Sequence, residues 1–174
     1  MLLAMRRQID KTTSTALLHQ IRAKIPGVAL RTTFIVGFPG ETEEDFQELV
    51  DFVKEIRFDR FGVFQYSHEE DTAAYALEDD VPPEVKQERA ARLMAVQQEI
   101  SREINEAKIG SVLKVLIDRK EGGFYYGRTE YDSVEVDNEV IISADENYCA
   151  VGGFAQVEII DAMEYDLIGR VVGN

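Results

Sequence analysis

The residues best placed to do chemistry begin at Gly37-Phe38-Pro39-Gly40-Glu41, a glycine-bounded turn between an apolar run and a burst of acids in TTFIVGFPGETEEDF. Two glycines in a turn let something approach the backbone closely. A phosphate loop would follow its glycine with Lys-Ser/Thr and use the amides of a helix N-terminus. Here Glu41, Glu43, Glu44 and Asp45 put negative charge where that anion would sit. What remains is a neutral or cationic ligand, or a strand-to-helix bend with no ligand at all. A second set lies in FGVFQYS, where Phe61 and Phe64 read more readily as core than as a cofactor platform, while Gln65 and Tyr66 carry polar groups to the end of the run. A third is the aromatic–basic group Tyr125, Tyr126, Arg128 and Tyr131.

Other chemistry is excluded. His19 and His68 have no metal-ligand spacing to each other or to Cys149, and His68-Glu69-Glu70-Asp71 reads as a solvated charged loop before it reads as a cation site. One cysteine rules out an internal disulfide and any all-cysteine metal or iron–sulfur site built from this chain alone. No serine–histidine–carboxylate or cysteine–histidine arrangement can be argued.

The elements that must position these residues follow from periodicity. Leu17, Leu18, Ile21 and Ile25 have helical spacing over 10–24, with Thr12–Ser14 offering caps and Pro26-Gly27 a stop. VALRTTFIVGF reads as a strand covered on both faces. Thr42 can cap a helix whose first turn holds Glu43, Glu44 and Asp45, and whose stripe is Phe46, Leu49, Val50, Val53 and Ile56. FDRFGVFQYS completes a βαβ unit with a parallel pair, which would bring Gln65 and Tyr66 level with the glycine turn. After the acidic loop HEEDTAAYALEDDVPPE, a helix over 84–107 buries Leu93, Val96, Ile100, Ile104 and Ala107, and Gly110 ends it. From Ser111 the runs VLKVLIDR, GFYYGRTE, VEVDNEVIIS and FAQVEIIDAMEYDLIGRVVG, punctuated by glycine and Asp-Asn turns, read as about five strands of a small antiparallel OB-like barrel. A boundary near residue 108 separates 1–107 from 108–174. Two strands are too few for a stable parallel sheet, so the first part reads as the C-terminal piece of a larger protein, with a swapped or obligate partner as the alternative.

Net charge is −14, spread evenly: 13 basic and 20 acidic residues over 1–106, 6 and 13 over 107–174. That lacks the basic footprint of a nucleic-acid binder. Glu130, Asp132, Glu135, Asp137 and Glu139 surround Arg128, so a basic protein suits this surface better than RNA. No apolar run is long enough for a membrane span and no secretory pattern opens the chain, which places it by default in the cytoplasm.

RTTFIVGFPGETEEDF, FGVFQYSHEEDTAAY, VPPEVKQERAARLMAVQQEIS and GRTEYDSVEVDNEVII…EYDLIG, in this order, resemble the C-terminal part of the radical S-adenosylmethionine methylthiotransferases. YSHEE and the GR…D…E.D pattern point to the ribosomal-protein aspartate branch, the RimO type, rather than to the tRNA-modifying branch. The resemblance implies an α/β partial (radical SAM, TIM-like) barrel ending in a long helix over 1–107, then an all-β, OB-like TRAM barrel over 108–174. It implies a parent that methylthiolates the β-carbon of an aspartate in the basic ribosomal protein S twelve with S-adenosylmethionine and two 4Fe-4S clusters. The cluster-binding cysteines would lie upstream, so no cluster, no catalytic residue and no turnover are expected of this chain alone. Carried over residue by residue, Gly37, Phe38 and Glu41 match the strand and turn against the adenosyl group. Phe64, Gln65 and Tyr66 match the last barrel strand, and Arg7, or its neighbour Arg6, the arginine after the preceding strand. Tyr125, Arg128, Tyr131 and Asp132 are the substrate-facing candidates. Asp71 departs from the family, whose members commonly carry glycine there. The alternatives are a tRNA methylthiotransferase piece and a non-catalytic OB-like module binding RNA or protein.

Titrated at two salt concentrations, the purified chain should bind a basic ribosomal protein with an affinity that salt weakens, and should ignore tRNA. Tight, salt-sensitive tRNA binding would overturn this reading of the charge.

Overall fold

The structure, a computed structural model, describes residues 5, 7–134, 136–145 and 148–173. Arg6 and Glu135 lie outside the described residues. The chain divides into two compact units, 1–100 and 101–174, and the division falls inside a helix, between Ile100 and Ser101.

The first unit holds α1 (Lys11–Lys24), β1 (Arg31–Val36), α2 (Glu43–Ile56), β2 (Arg60–Gln65) and most of α3 (Pro83–Glu106). β1 and β2 pair in parallel, from Arg31 opposite Arg60 to Val36 opposite Gln65. Phe46, Val50, Val53 and Ile56 of α2 are buried. They share the core with an aromatic cluster in which Phe34 meets Phe58 and Phe61 edge-on, ring centres 5.6 and 5.2 Å apart. Phe61 and Phe64 are three residues apart on one strand and so point to opposite faces: Phe61 is core, and Phe64 is 64% exposed. α2 begins with a capping box, Thr42 accepting from the Asp45 amide and Asp45 from the Thr42 amide. α1 is capped by Asp10 rather than by Thr12–Ser14 and buries none of its residues fully. Arg22 ties it instead to the carbonyls of Ile56 and Arg57 at the end of α2.

The long helix corrects the expected apolar seam. Its buried positions include Lys86, Arg89, Leu93, Gln97, Ile100, Ser101 and Asn105, whereas Val96 and Ile104 are half-buried and Ala107 is exposed. Carbonyls at the ends of strands and loops need donors when buried, and polar side chains on this face supply them. Gln97 donates to Asp59 O at 3.3 Å, and Asn105 donates to Met163 O at 3.2 Å.

The second unit is a closed five-stranded barrel of β3 (Val112–Glu121), β4 (Phe124–Arg128), β5 (Val140–Ser143), β6 (Phe154–Ala162) and β7 (Leu167–Val171), in the order β3-β4-β5-β7-β6. It is not wholly antiparallel, because β5 and β7 run parallel. The expected strand VEVDNEVIIS also shortens to its last four residues. Asp137 accepts from the Ser133 amide, and the Val136 amide bonds to Ser133 O, so a turn replaces the start of the strand. Val115, Ile117, Val140, Ile142, Val157 and Ile159 fill the interior. No helix among the described residues is long and apolar enough to cross a membrane.

Barrel closure crowds β3 against β4 at Gly127, where an added Cβ would lie 2.5 Å from Leu116 O and 2.6 Å from Val115 Cγ1. Gly127→Ala should therefore cost the barrel about 2 kcal/mol, read as a lower urea midpoint. An unchanged midpoint would contradict the close approach.

Candidate functional site

Parallel pairing sets the C-terminal ends of β1 and β2 side by side, and the Tyr66 amide extends the ladder by donating to Val36 O at 2.9 Å. The glycine turn begins there. Gly37 adopts φ +74°, a left-handed conformation that glycine enters without cost. Its amide donates to Glu41 Oε1 at 3.0 Å, and the Glu41 amide returns to Phe38 O at 2.9 Å. Glu41 and Arg89 form an ion pair at 2.7 Å with each side chain only 5% exposed, and Arg89 also donates to Glu41 O. A Cβ on Gly37 would meet Lys86 Cγ at 2.3 Å. Close approach at this glycine is thus made by the stem of Lys86. Gly37 and Glu41, expected to touch a ligand, are turned inward, because the turn needs an internal acceptor for its amide and Arg89 needs a counter-charge.

Phe38, Tyr66, Gln65 and Arg7 do come together. With Ile35, Glu69 and the small residues at 72–74 they line a cavity of about 520 Å³, within the usual range for small-molecule sites. Phe38 meets the Tyr66 ring edge-on at 5.2 Å. The Tyr66 hydroxyl lies 3.3 Å from His68 Nδ1, and the His68 ring sits 4.7 Å from that of Tyr75. Burial, then the negative charges of Asp79 and Glu69, push the Tyr66 hydroxyl above the ordinary tyrosine range, so it remains a donor at neutral pH. Phe64 stands beside Ile35 in register but outside the cavity lining.

Sequence reasoning missed the far wall, from Ser67 to Ala74, which it treated as loop. Asp71 has φ +62°, the conformation glycine would take, and aspartate is among the few residues that tolerate it. It also missed Lys86 and Arg89. Their signal was available, since Lys86, Arg89 and Leu93 repeat the i, i+3, i+7 spacing of a buried stripe.

On the barrel the four expected contact residues separate. Tyr125 is 3% exposed and packs in the core. Asp132 is buried and accepts from Thr129 Oγ1 at 2.6 Å, closing a turn. Neither can face a partner: alternation along β4 sends Tyr125 inward, and Asp132 shapes the loop. Arg128 is half-buried and its Nε lies 3.1 Å from both oxygens of Asp118. Tyr131 is exposed.

Residues 109–172 match the TRAM domain family. Over nearly its whole length the chain is similar to proteins named ribosomal protein uS12 methylthiotransferase RimO. It is 57% identical over 99% of its residues to the protein of Cytophaga hutchinsonii, 53% over 96% to that of Flavobacterium johnsoniae, and 54% over its full length to that of Bacteroides thetaiotaomicron. The chain is a homologue of the RimO proteins. It spans about two fifths of their length, 39%, 38% and 40% respectively. Within the TRAM domain, Arg119 pairs with Glu139 and Arg170 with Glu158, so together with Arg128 three of its cations are matched by carboxylates. Cys149 sits in the barrel core, where burial pushes its thiol up and keeps it protonated and unreactive. Among the described residues no group of three histidine, cysteine, aspartate or glutamate side chains could hold a metal ion.

Glu41→Gln keeps the shape of the turn but removes the buried carboxylate partner of Arg89, leaving only the longer contact to the exposed Glu43 at 3.6 Å. We expect a loss of about 3 kcal/mol in the first unit, measured as a reduced urea midpoint for the transition that exposes β1 and β2. A shift within error would mean that Arg89 is neutralised elsewhere.

Proposed function

We propose that this chain is the part of a longer uS12 methylthiotransferase that supplies one edge of an S-adenosylmethionine site and the domain that docks the substrate protein. The observation that carries the reading is identity of 51–57% along nearly the entire chain to proteins bearing that name. The first unit would be the end of the radical SAM barrel, and the reaction would place a methylthio group on the β-carbon of an aspartate.

The cavity suits an adenosyl group. It offers an aromatic wall in Phe38 and Tyr66, an amide in Gln65, a cation in Arg7, and backbone groups at the end of a parallel pair, where ligands of such sheets commonly sit. Tyr66 would supply a ring face and Gln65 hydrogen bonds, while Phe38 holds the Tyr66 ring and excludes water. The chemistry such a cofactor supplies is an activated methyl group on sulfur. Iron–sulfur clusters do not fit this chain, whose only cysteine is buried in the TRAM core; their ligands would come from the rest of the parent.

For the TRAM domain, 13 acidic against 6 basic residues over 107–174, with Arg119, Arg128 and Arg170 already paired, favour a basic protein over an RNA backbone. Tyr131 is the surviving candidate for direct contact.

The test is a chimera in which this chain replaces the matching two fifths of the Cytophaga hutchinsonii protein. Given reconstituted clusters, S-adenosylmethionine, a low-potential one-electron reductant and a sulfide source, it should add a methylthio group to uS12, detected by mass spectrometry. A folded, cluster-loaded chimera that leaves uS12 unmodified would sink the assignment.

A further inference from the structure

Lys86 touches both rims of the cavity without lining it. Its stem occupies the space beneath Gly37, with Cγ and Cδ 2.3 and 3.0 Å from where a Cβ would be. Its ammonium lies 5.1 Å from the centre of the Tyr66 ring and 3.4 Å from Tyr66 O. The side chain is only 7% exposed. A buried ammonium is tolerated only when paired, and both oxygens of Asp79 meet it, at 2.6 and 2.7 Å. The next residue grips the same turn independently: Asp80 accepts from the Gly40 amide at 2.7 Å.

We propose that Lys86, held by Asp79, is a positioning residue that sets the Tyr66 ring and the Gly37–Phe38 turn at the spacing a planar ligand requires. With the adenine of S-adenosylmethionine as that ligand, the inference rests on the function proposed above. The physical argument is one of fixed geometry. Four rotatable bonds would ordinarily leave a lysine mobile. Here the carboxylate pins one end and the glycine cradle the stem, so the charge stays over the ring, where its attraction to the π face orients Tyr66. Remove the carboxylate and the ammonium must leave for water. The stem then leaves Gly37, and both rims lose a common support. Lys86 acts through Tyr66 and Phe38 and is not itself a ligand contact.

The experiment compares the 174-residue chain with its Lys86→Met, Asp79→Asn, Asp79→Glu and Lys86→Met/Asp79→Asn variants by amide hydrogen exchange. Lys86→Met keeps most of the stem and loses the charge; Asp79→Glu keeps the pair. Exchange should rise roughly tenfold at the Gly37 and Tyr66 amides in Asp79→Asn, where the stem is withdrawn, and at the Tyr66 amide in Lys86→Met, where only the charge is lost. The double variant should be no worse than either single, Asp79→Glu should stay near the parent, and amides inside β1 and β2 should not change. A uniform rise through the first unit, or no rise at Gly37 and Tyr66, would overturn the proposal. Calorimetry of the chimera with S-adenosylmethionine gives the second readout: dissociation constants raised roughly tenfold in the two single variants and restored in Asp79→Glu. If the parent chimera fails to bind S-adenosylmethionine while the exchange pattern holds, the cofactor reading falls and the positioning role stands. If it binds and the variants bind equally well, the positioning role falls alone.

Discussion

Glu41 and Arg89 are separated by 48 positions in the chain and by 2.7 Å in the fold, and the first unit is arranged around that contact. Two charges out of water are costly unless each finds a partner and further hydrogen bonds. Glu41 finds the Gly37 amide as well as the guanidinium, and Arg89 finds the Glu41 carbonyl. Satisfying both therefore settles the conformation of the turn, the depth of α3 and the direction in which Phe38 leaves the strand. Once Phe38 is set, its edge contact carries the constraint to Tyr66. The cavity wall is built one layer outward from a pair that does not itself line it.

The same logic reassigns part of the net charge of −14. Asp59 accepts from the Leu30 amide at 2.8 Å and fixes the approach to β1. Asp45 closes the capping box of α2, and the Thr42 amide draws its carboxyl below the usual range. Asp118 orients Arg128 on the barrel. These acids answer backbone amides and a half-buried cation, so they are structural before they are electrostatic. Long-range attraction for the proposed basic partner would come from the whole distribution and would be the contribution that salt screens; the short contacts are much less affected.

How far the sequence could be read depended on whether a residue's role was local. The Thr42 cap, the glycine turn and the α2 stripe were legible because a helix start and a 3.6-residue repeat are decided within a few positions. The strand ends proved level, as a parallel pair requires. The polar seam of α3 was not legible, since periodicity weighs apolar residues and passes over Lys86, Arg89, Gln97 and Asn105. Tyr125 and Asp132 looked like a surface pair because they neighbour Arg128 and Tyr131 in the chain. Pleating and the four-residue turn from Thr129 to Asp132 send each of them inward.

By itself, then, the sequence determined the order and kind of the elements, the change of character after α3, the absence of a thiolate set for a cluster, and the acidic balance. Tertiary structure alone decided what the acid after the glycine turn is for. Glu41 lies where a ligand contact was expected, yet its carboxylate is taken up by Arg89 and by the turn's own amide. The reason is the cost of burial: a charged side chain enters the interior only against a partner, and that partner came from a helix far along the chain, at a distance no local pattern encodes.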